Sequence, residues 1–247
     1  MAGVHRALCL WLCALSAGCG GEPDGRVEPK AIGQNPLDPC QADDAFTFSP
    51  VETFETNVSV NWYTNFDLTD GRGTLSPPPN QKPLPATELN PARCGESTKA
   101  LEVKATGLEL WGLVGYNFSS GMPFDASGWD GLSFWVRSGP GAVGRTLFAS
   151  VAEKYTDQGG AGSFPGGTPY CLFDDLDVKK TCDRFGVGIG LDTEWRFFAI
   201  RFDEMRQRGF GVPAPSSEPD RQILGLNFGF ESGDWDFFLD DVSYFKK

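Results

Sequence analysis

The chain has 247 residues, with 33 Asp and Glu against 21 Lys and Arg and a formal net charge of −12. That balance argues against nucleic acid as a partner, because a phosphate backbone is held by clustered Lys and Arg. The 31 Gly, 18 Pro and 13% aromatic residues, with few long apolar periodic runs, point to an all-β domain rather than a helical one.

Residues 1–18 carry Arg6, then the apolar run Leu8-Cys9-Leu10-Trp11-Leu12-Cys13-Ala14-Leu15, then small residues before Cys19. This is the layout of a secretory signal, and the run is much shorter than the ~20 residues a spanning helix needs. The ending Leu15-Ser16-Ala17-Gly18-Cys19 resembles a bacterial lipobox. The resemblance implies cleavage before Cys19, lipid on Cys19 and attachment to a membrane of the bacterial envelope. Gly20 offers no obvious inner-membrane retention signal, so the outer membrane is preferred. Cleavage lowers the net charge to near −13 and removes His5, the single histidine. Histidine-based triads and zinc hydrolase motifs are then excluded, and no G-x-S-x-G or G-x-x-x-x-G-K signature is present. The expectation is a protein that is not an enzyme. A carboxylate-pair glycoside hydrolase stays open as an alternative, since it needs two Asp or Glu held roughly 5–10 Å apart.

Residues 19–45 hold almost no large apolar side chains and several prolines, which reads as a flexible linker after the lipidated cysteine. Cys40, Cys94, Cys171 and Cys182 remain after cleavage, an even set suited to an oxidising compartment. Cys171 with Cys182 closes a short acidic loop and is the expected disulfide, worth roughly 2–3 kcal/mol on the chain-entropy model. Cys40 with Cys94 is then the second. Free thiols or a metal site are the alternatives, the latter disfavoured by the lack of C-x-x-C spacing.

From residue 46 onward, strands are predicted at 46–49, 52–62, 99–105, 108–118, 131–138, 145–153, 185–191, 195–202, 223–230 and 235–245, by alternation between turn-rich segments. Residues 76–93 contain six prolines, 159–167 are mostly glycine and 212–220 are rich in Pro and Ser, so all three read as long loops. Residues 203–209 read as a helical turn with Asp203 as N-cap and Gly209 ending it. In the strand at 131–138, Leu132, Phe134 and Val136 form a core face, leaving Ser133, Trp135 and Arg137 on the other.

Four segments carry a resemblance to a known family. These are Phe54-Glu55 with Trp62 downstream; Gly128-Trp129-Asp130-Gly131 running on to Arg137; Trp195 to Phe202 running into Met205 to Gly211; and Phe238-Leu239-Asp240-Asp241-Val242-Ser243-Tyr244-Phe245. Together they resemble the family 11 carbohydrate-binding modules and their galactose-binding-like relatives. The resemblance implies one jelly-roll β-sandwich of two antiparallel sheets over 46–247, and a carbohydrate or polysaccharide as partner. It also implies a structural calcium where the early Phe-Glu strand meets the terminal Asp-Asp-Val strand, with Glu55 and Asp240 or Asp241 as ligands. An ordinary salt bridge is the alternative there.

Sugar recognition uses flat aromatic faces for ring C–H surfaces and planar polar groups for hydroxyls. The candidates are Trp135 with Arg137 first, then Tyr155 with Asp157, and Trp62, Tyr63, Trp111, Tyr170 and Arg184. The bland reading of the first pair is that Trp135 lies under a covering segment and Arg137 meets a surface carboxylate. A structural or protein-contacting envelope lipoprotein is the competing function, its protein partner unknown.

Overall fold

The computed structural model describes residues 46–56, 58–66, 73–93, 97–118, 122–157, 170–172 and 181–247. The signal and lipobox, Cys19, the linker, the Cys40–Cys94 pairing and the glycine-rich stretch 159–167 lie outside the described residues.

Among the described residues eleven strands follow in order: β1 (Thr47–Glu52), β2 (Trp62–Phe66), β3 (Thr74–Ser76), β4 (Thr87–Arg93), β5 (Ser97–Asn117), β6 (Phe124–Asp125), β7 (Gly131–Ser138), β8 (Thr146–Glu153), β9 (Phe185–Gly190), β10 (Arg196–Arg201) and β11 (Gln222–Lys246). All the ladders between them are antiparallel. The architecture is the jelly-roll sandwich, with its two layers joined by shared strands. β5 and β11 pair along most of their length, and each bends from one layer into the other at a glycine, Gly107 (φ +64°) and Gly233 (φ +101°). A side chain in that left-handed region would be strained, which is why glycine stands at both corners.

The front sheet runs β9-β8-β11-β5-β2, using the first half of β11 and the second half of β5. The back sheet joins β10 and β7 to the second half of β11, which also pairs with β1; the first half of β5 carries β3 and β4. Alternation turns one face of each sheet inward. Leu226, Phe228, Val114, Trp62, Ala149 and Val151 from the front meet Phe134, Val136, Phe237 and Leu239 from the back in one core. Phe228 packs edge-on to Phe134, with ring centres 4.9 Å apart, and stacks toward Trp62. Burying such side chains contributes ~1.5–3 kcal/mol each.

Several expectations are corrected here. Residues 52–62 do not form one strand: the Glu52 carboxylate accepts the N–H groups of Thr53, Phe54 and Ser59, and this local satisfaction turns the chain into a loop. Residues 76–93 are not a continuous loop, because 87–93 form β4. The helical turn at 203–209 shrinks to a 3-10 turn at Phe202–Glu204 preceded by Arg201 as N-cap, after which Arg206 bridges the edge of β9 through Gly186. The expected breaks near 106 and 232 are the two corners of continuous strands.

Candidate functional site

The outward face of the front sheet carries small residues in register. Tyr63, Gly115, Asn227, Ser150 and Gly186 lie opposite one another across β2, β5, β11, β8 and β9. A Cβ on Gly115 would stand 2.7 Å from the Tyr63 ring, so the missing side chain lets that ring lie across the sheet. From there the Tyr63 hydroxyl donates to Oδ1 of Asn227 at 3.1 Å. Gly186 is equally confined, its missing Cβ lying 2.6 Å from Ser150 and 2.8 Å from the Phe148 ring. Asn227 and Ser150 face away from the core yet are buried, since the side chains above them form a second tier.

That tier comes from the ends of the strands. Arg184, one residue before β9, pairs with Asp157 beyond β8 at 2.6 Å. Both also lie within electrostatic reach of the Tyr63 phenol, whose pKa is raised mainly by burial, with Arg184 opposing and Asp157 adding. Tyr155 and Tyr170 meet edge to face with ring centres 5.3 Å apart, and Tyr170 donates to the carbonyl of Pro213. The disulfide Cys171–Cys182 is formed as expected and joins the segments bearing Tyr170 and Arg184. Asp183 accepts the N–H groups of Arg208 and Gly209, which fastens a further loop to the same segment.

Of the predicted ligand residues, the structure therefore brings Tyr63, Asp157 and Arg184 together on the outward front face, and sets Tyr155 against Tyr170 on the segments that carry the Asp157–Arg184 pair. Trp111 shares that face but sits four residues from Gly115 along β5, about 13 Å at the usual strand rise. Trp62 is corrected: it is fully buried between Phe54, Tyr116 and Phe228 and has no surface to offer. Trp135 and Arg137 lie on the outward face of the back sheet. Trp135, 4% exposed, is packed by Phe46, Phe197 and Phe245, and the Arg93 guanidinium lies 4.7 Å from its ring. It is a covered residue, not an open platform. Arg137 stacks on Phe238 at 4.4 Å and on Trp195 at 5.3 Å rather than pairing with a carboxylate.

Glu55, Asp240 and Asp241 do come together. Glu55 accepts from the Ser97 and Thr98 hydroxyls and the N–H groups of Thr98 and Lys99; burial pushes its pKa up, but these bonds outweigh burial and lower it. The Ser97 hydroxyl also faces Asp240 at 2.6 Å. Arg93 bridges Asp240, at 2.8 Å, and Asp241. Burial raises both aspartates, Asp241 to about 6. Among the described residues no three acidic, Cys or His side chains surround a common metal position. Both oxygens of Glu55 and of Asp240 accept protein donors and Arg93 reaches Asp241, an ion-pair arrangement of the kind named as the alternative to calcium.

Sequence reasoning missed Gly115, Asn227, Ser150 and Arg93. The alternating glycines of Gly186-Val187-Gly188-Ile189-Gly190 and Gly225-Leu226-Asn227-Phe228-Gly229 were the available signal for the small-residue face, since they line one face of two strands that flank β8.

No protein-family model matches the chain, and no curated protein does. Solved structures match it. One is the family 11 carbohydrate-binding module of the cellulosomal cellulase Lic26A-Cel5E of Clostridium thermocellum, at 18% identity and TM-score 0.52, covering 80% of this chain and 94% of that one. Another is a family 11 module from Clostridium thermocellum in complex with a β-1,3-1,4-mixed-linked tetrasaccharide, also at 18% and 0.52, covering 81% and 94%. The solution structure of CtCBM11 follows at 16% and 0.50, covering 83% and 99%. The fold is that of the carbohydrate-binding-module jelly rolls, and at these identities the likeness establishes the fold alone.

Proposed function

We propose that the front face binds a glycan without altering it, on a domain held to the bacterial envelope, on its outer membrane, by lipid on Cys19. The observation that carries this reading is Tyr63 laid over Gly115 with the Arg184–Asp157 pair beside it. A flat ring offers a surface to sugar C–H groups, and a fixed Arg–Asp pair offers donors and acceptors in one plane. Tyr155 and the exposed Tyr170 extend the aromatic surface. The structures that share the fold include a module named with a bound tetrasaccharide, which supports a sugar as the first ligand class to test.

Affinity electrophoresis of the full chain through a panel of polysaccharides tests the site. Retardation by at least one polysaccharide is expected, and Tyr63→Ala and Arg184→Ala should each abolish most of it. Undiminished retardation in both variants refutes the site. Reducing-sugar release from the bound polysaccharide would instead favour the hydrolase reading. For the anchor, Cys19→Ser should release the protein from the membrane fraction.

A further inference from the structure

Most arginines among the described residues have a polar partner. Arg93, Arg184, Arg196, Arg201 and Arg221 face carboxylates, and Arg145 and Arg206 face backbone carbonyls. Arg208 differs. Its guanidinium makes no hydrogen bond and no ion pair, and rests 4.5 Å from the ring centre of Phe148 and 4.8 Å from that of Phe210. Two aromatic faces fix the plane of a guanidinium while leaving its N–H donors unengaged.

Its position is set by the edge of the front sheet. Gly186 and Arg206 exchange both backbone hydrogen bonds at 3.0 Å, so they are paired residues and point to the same side. Gly186 is on the outward row, and Arg208, two residues beyond Arg206, shares that side. Phe148 belongs to the adjacent outward row, opposite Gly229 and Gly188. Arg208 thus stands at the edge opposite Tyr63, roughly 24 Å away at the usual strand spacing. The loop is held in place: Asp183 accepts the N–H groups of Arg208 and Gly209, and Gln207 donates to the carbonyls of Asp183 and Val212. Asp183 and Glu231 are the carboxylates that act on Arg208 at longer range. Desolvation lowers the pKa of the guanidinium and these two carboxylates oppose that shift.

We propose that Arg208 receives the carboxylate of a uronic acid residue, so that the front face takes an acidic glycan running from Tyr63 toward Phe210. This rests on the glycan reading above and adds the class of sugar to it. A planar guanidinium with free parallel N–H groups matches a carboxylate in two-pronged fashion, and the flanking Phe148 and exposed Phe210 rings meet the sugar's apolar surface.

The test is calorimetric titration of the full chain with a uronic acid oligosaccharide, its methyl ester, and neutral and sulfated oligosaccharides of matched length. The acid form should bind at least about tenfold more tightly than its ester, and added salt should narrow that gap. Arg208→Met should bring the ratio to near one, while Arg196→Met, which removes a charge from the back sheet, keeps it. Equal binding of acid and ester by the wild type overturns the inference, as does a preference that survives Arg208→Met or one for sulfate over carboxylate. In each of those outcomes glycan binding itself stands. Failure of every oligosaccharide to bind removes the glycan reading and this inference together.

Discussion

Tyr170 and Arg184 are joined by a covalent route shorter than the backbone between them: Tyr170 precedes Cys171, and Arg184 follows Cys182 by two residues. The disulfide therefore fixes the distance between the tyrosine that meets Tyr155 and the arginine that meets Asp157. Replacing both cysteines by serine should weaken glycan binding about tenfold or more, while costing only about 2–3 kcal/mol of stability. Binding isotherms alongside urea unfolding separate the two effects. A variant that loses stability but binds as before would show that the rim holds its shape unaided.

Gly115→Ala tests the floor of the site. The new methyl group would press on the Tyr63 ring and on Asn227, both in contact with the position now. The ring must lift and release its hydrogen bond to Asn227, so binding should fall about tenfold while overall stability falls by ~1–3 kcal/mol. Tyr63→Phe is the companion variant: it keeps the ring over Gly115 and should retain most of the affinity.

Glu153 predicts a pH dependence. It is fully buried at the end of β8, accepts the Tyr155 N–H at 3.1 Å and leaves its other oxygen without a partner. Burial raises its pKa above the usual 4.5, with Asp220 adding to the rise and Lys154 opposing it. The folded chain thus holds this proton more tightly than the unfolded chain, so the group's contribution is greatest below 4.5 and is lost as pH rises through the folded pKa. Glu153→Gln should remove that part of the slope, and its stability relative to wild type should grow with pH. Denaturant midpoints from pH 4 to 8 measure the difference; two parallel curves would contradict it.

Arg93 governs the corner of Glu55, Asp240 and Asp241. Arg93→Met leaves Asp240, which is fully buried, without its cation, and should cost about 3–5 kcal/mol. Arg196→Met, at an exposed pair, should cost no more than ~1 kcal/mol. A chelator should leave the wild-type melting temperature unchanged. A rise on adding calcium would show that a cation shares this corner with Arg93.

Much of the sandwich was legible because alternation is a local property. Leu132, Phe134 and Val136 face the core and Trp135 and Arg137 face away, as the pattern of that strand requires. The Cys171–Cys182 bridge was legible from loop length. What covers an outward residue was not, because the covering atoms come from distant segments. Trp135 is capped by Phe46 and by Arg93, and Arg93 ends a proline-rich stretch with no strand signal. Adjacent aromatics at Trp62 and Tyr63 were ambiguous for a different reason. Either could face inward, and only the register with Tyr116 and Gly115 sends Trp62 to the core and Tyr63 to the surface.

The pairing of β1 with the end of β11 gives the domain a mechanical grain. Phe46 leads into Thr47, opposite Lys246, so tension applied at Phe46 loads the ladder between the two strands. β11 continues through the corner at Gly233 to Asn227, beneath Tyr63. A pull from the N-terminal side and a load held on the front face would therefore meet along a single strand, with the back sheet acting as the grip.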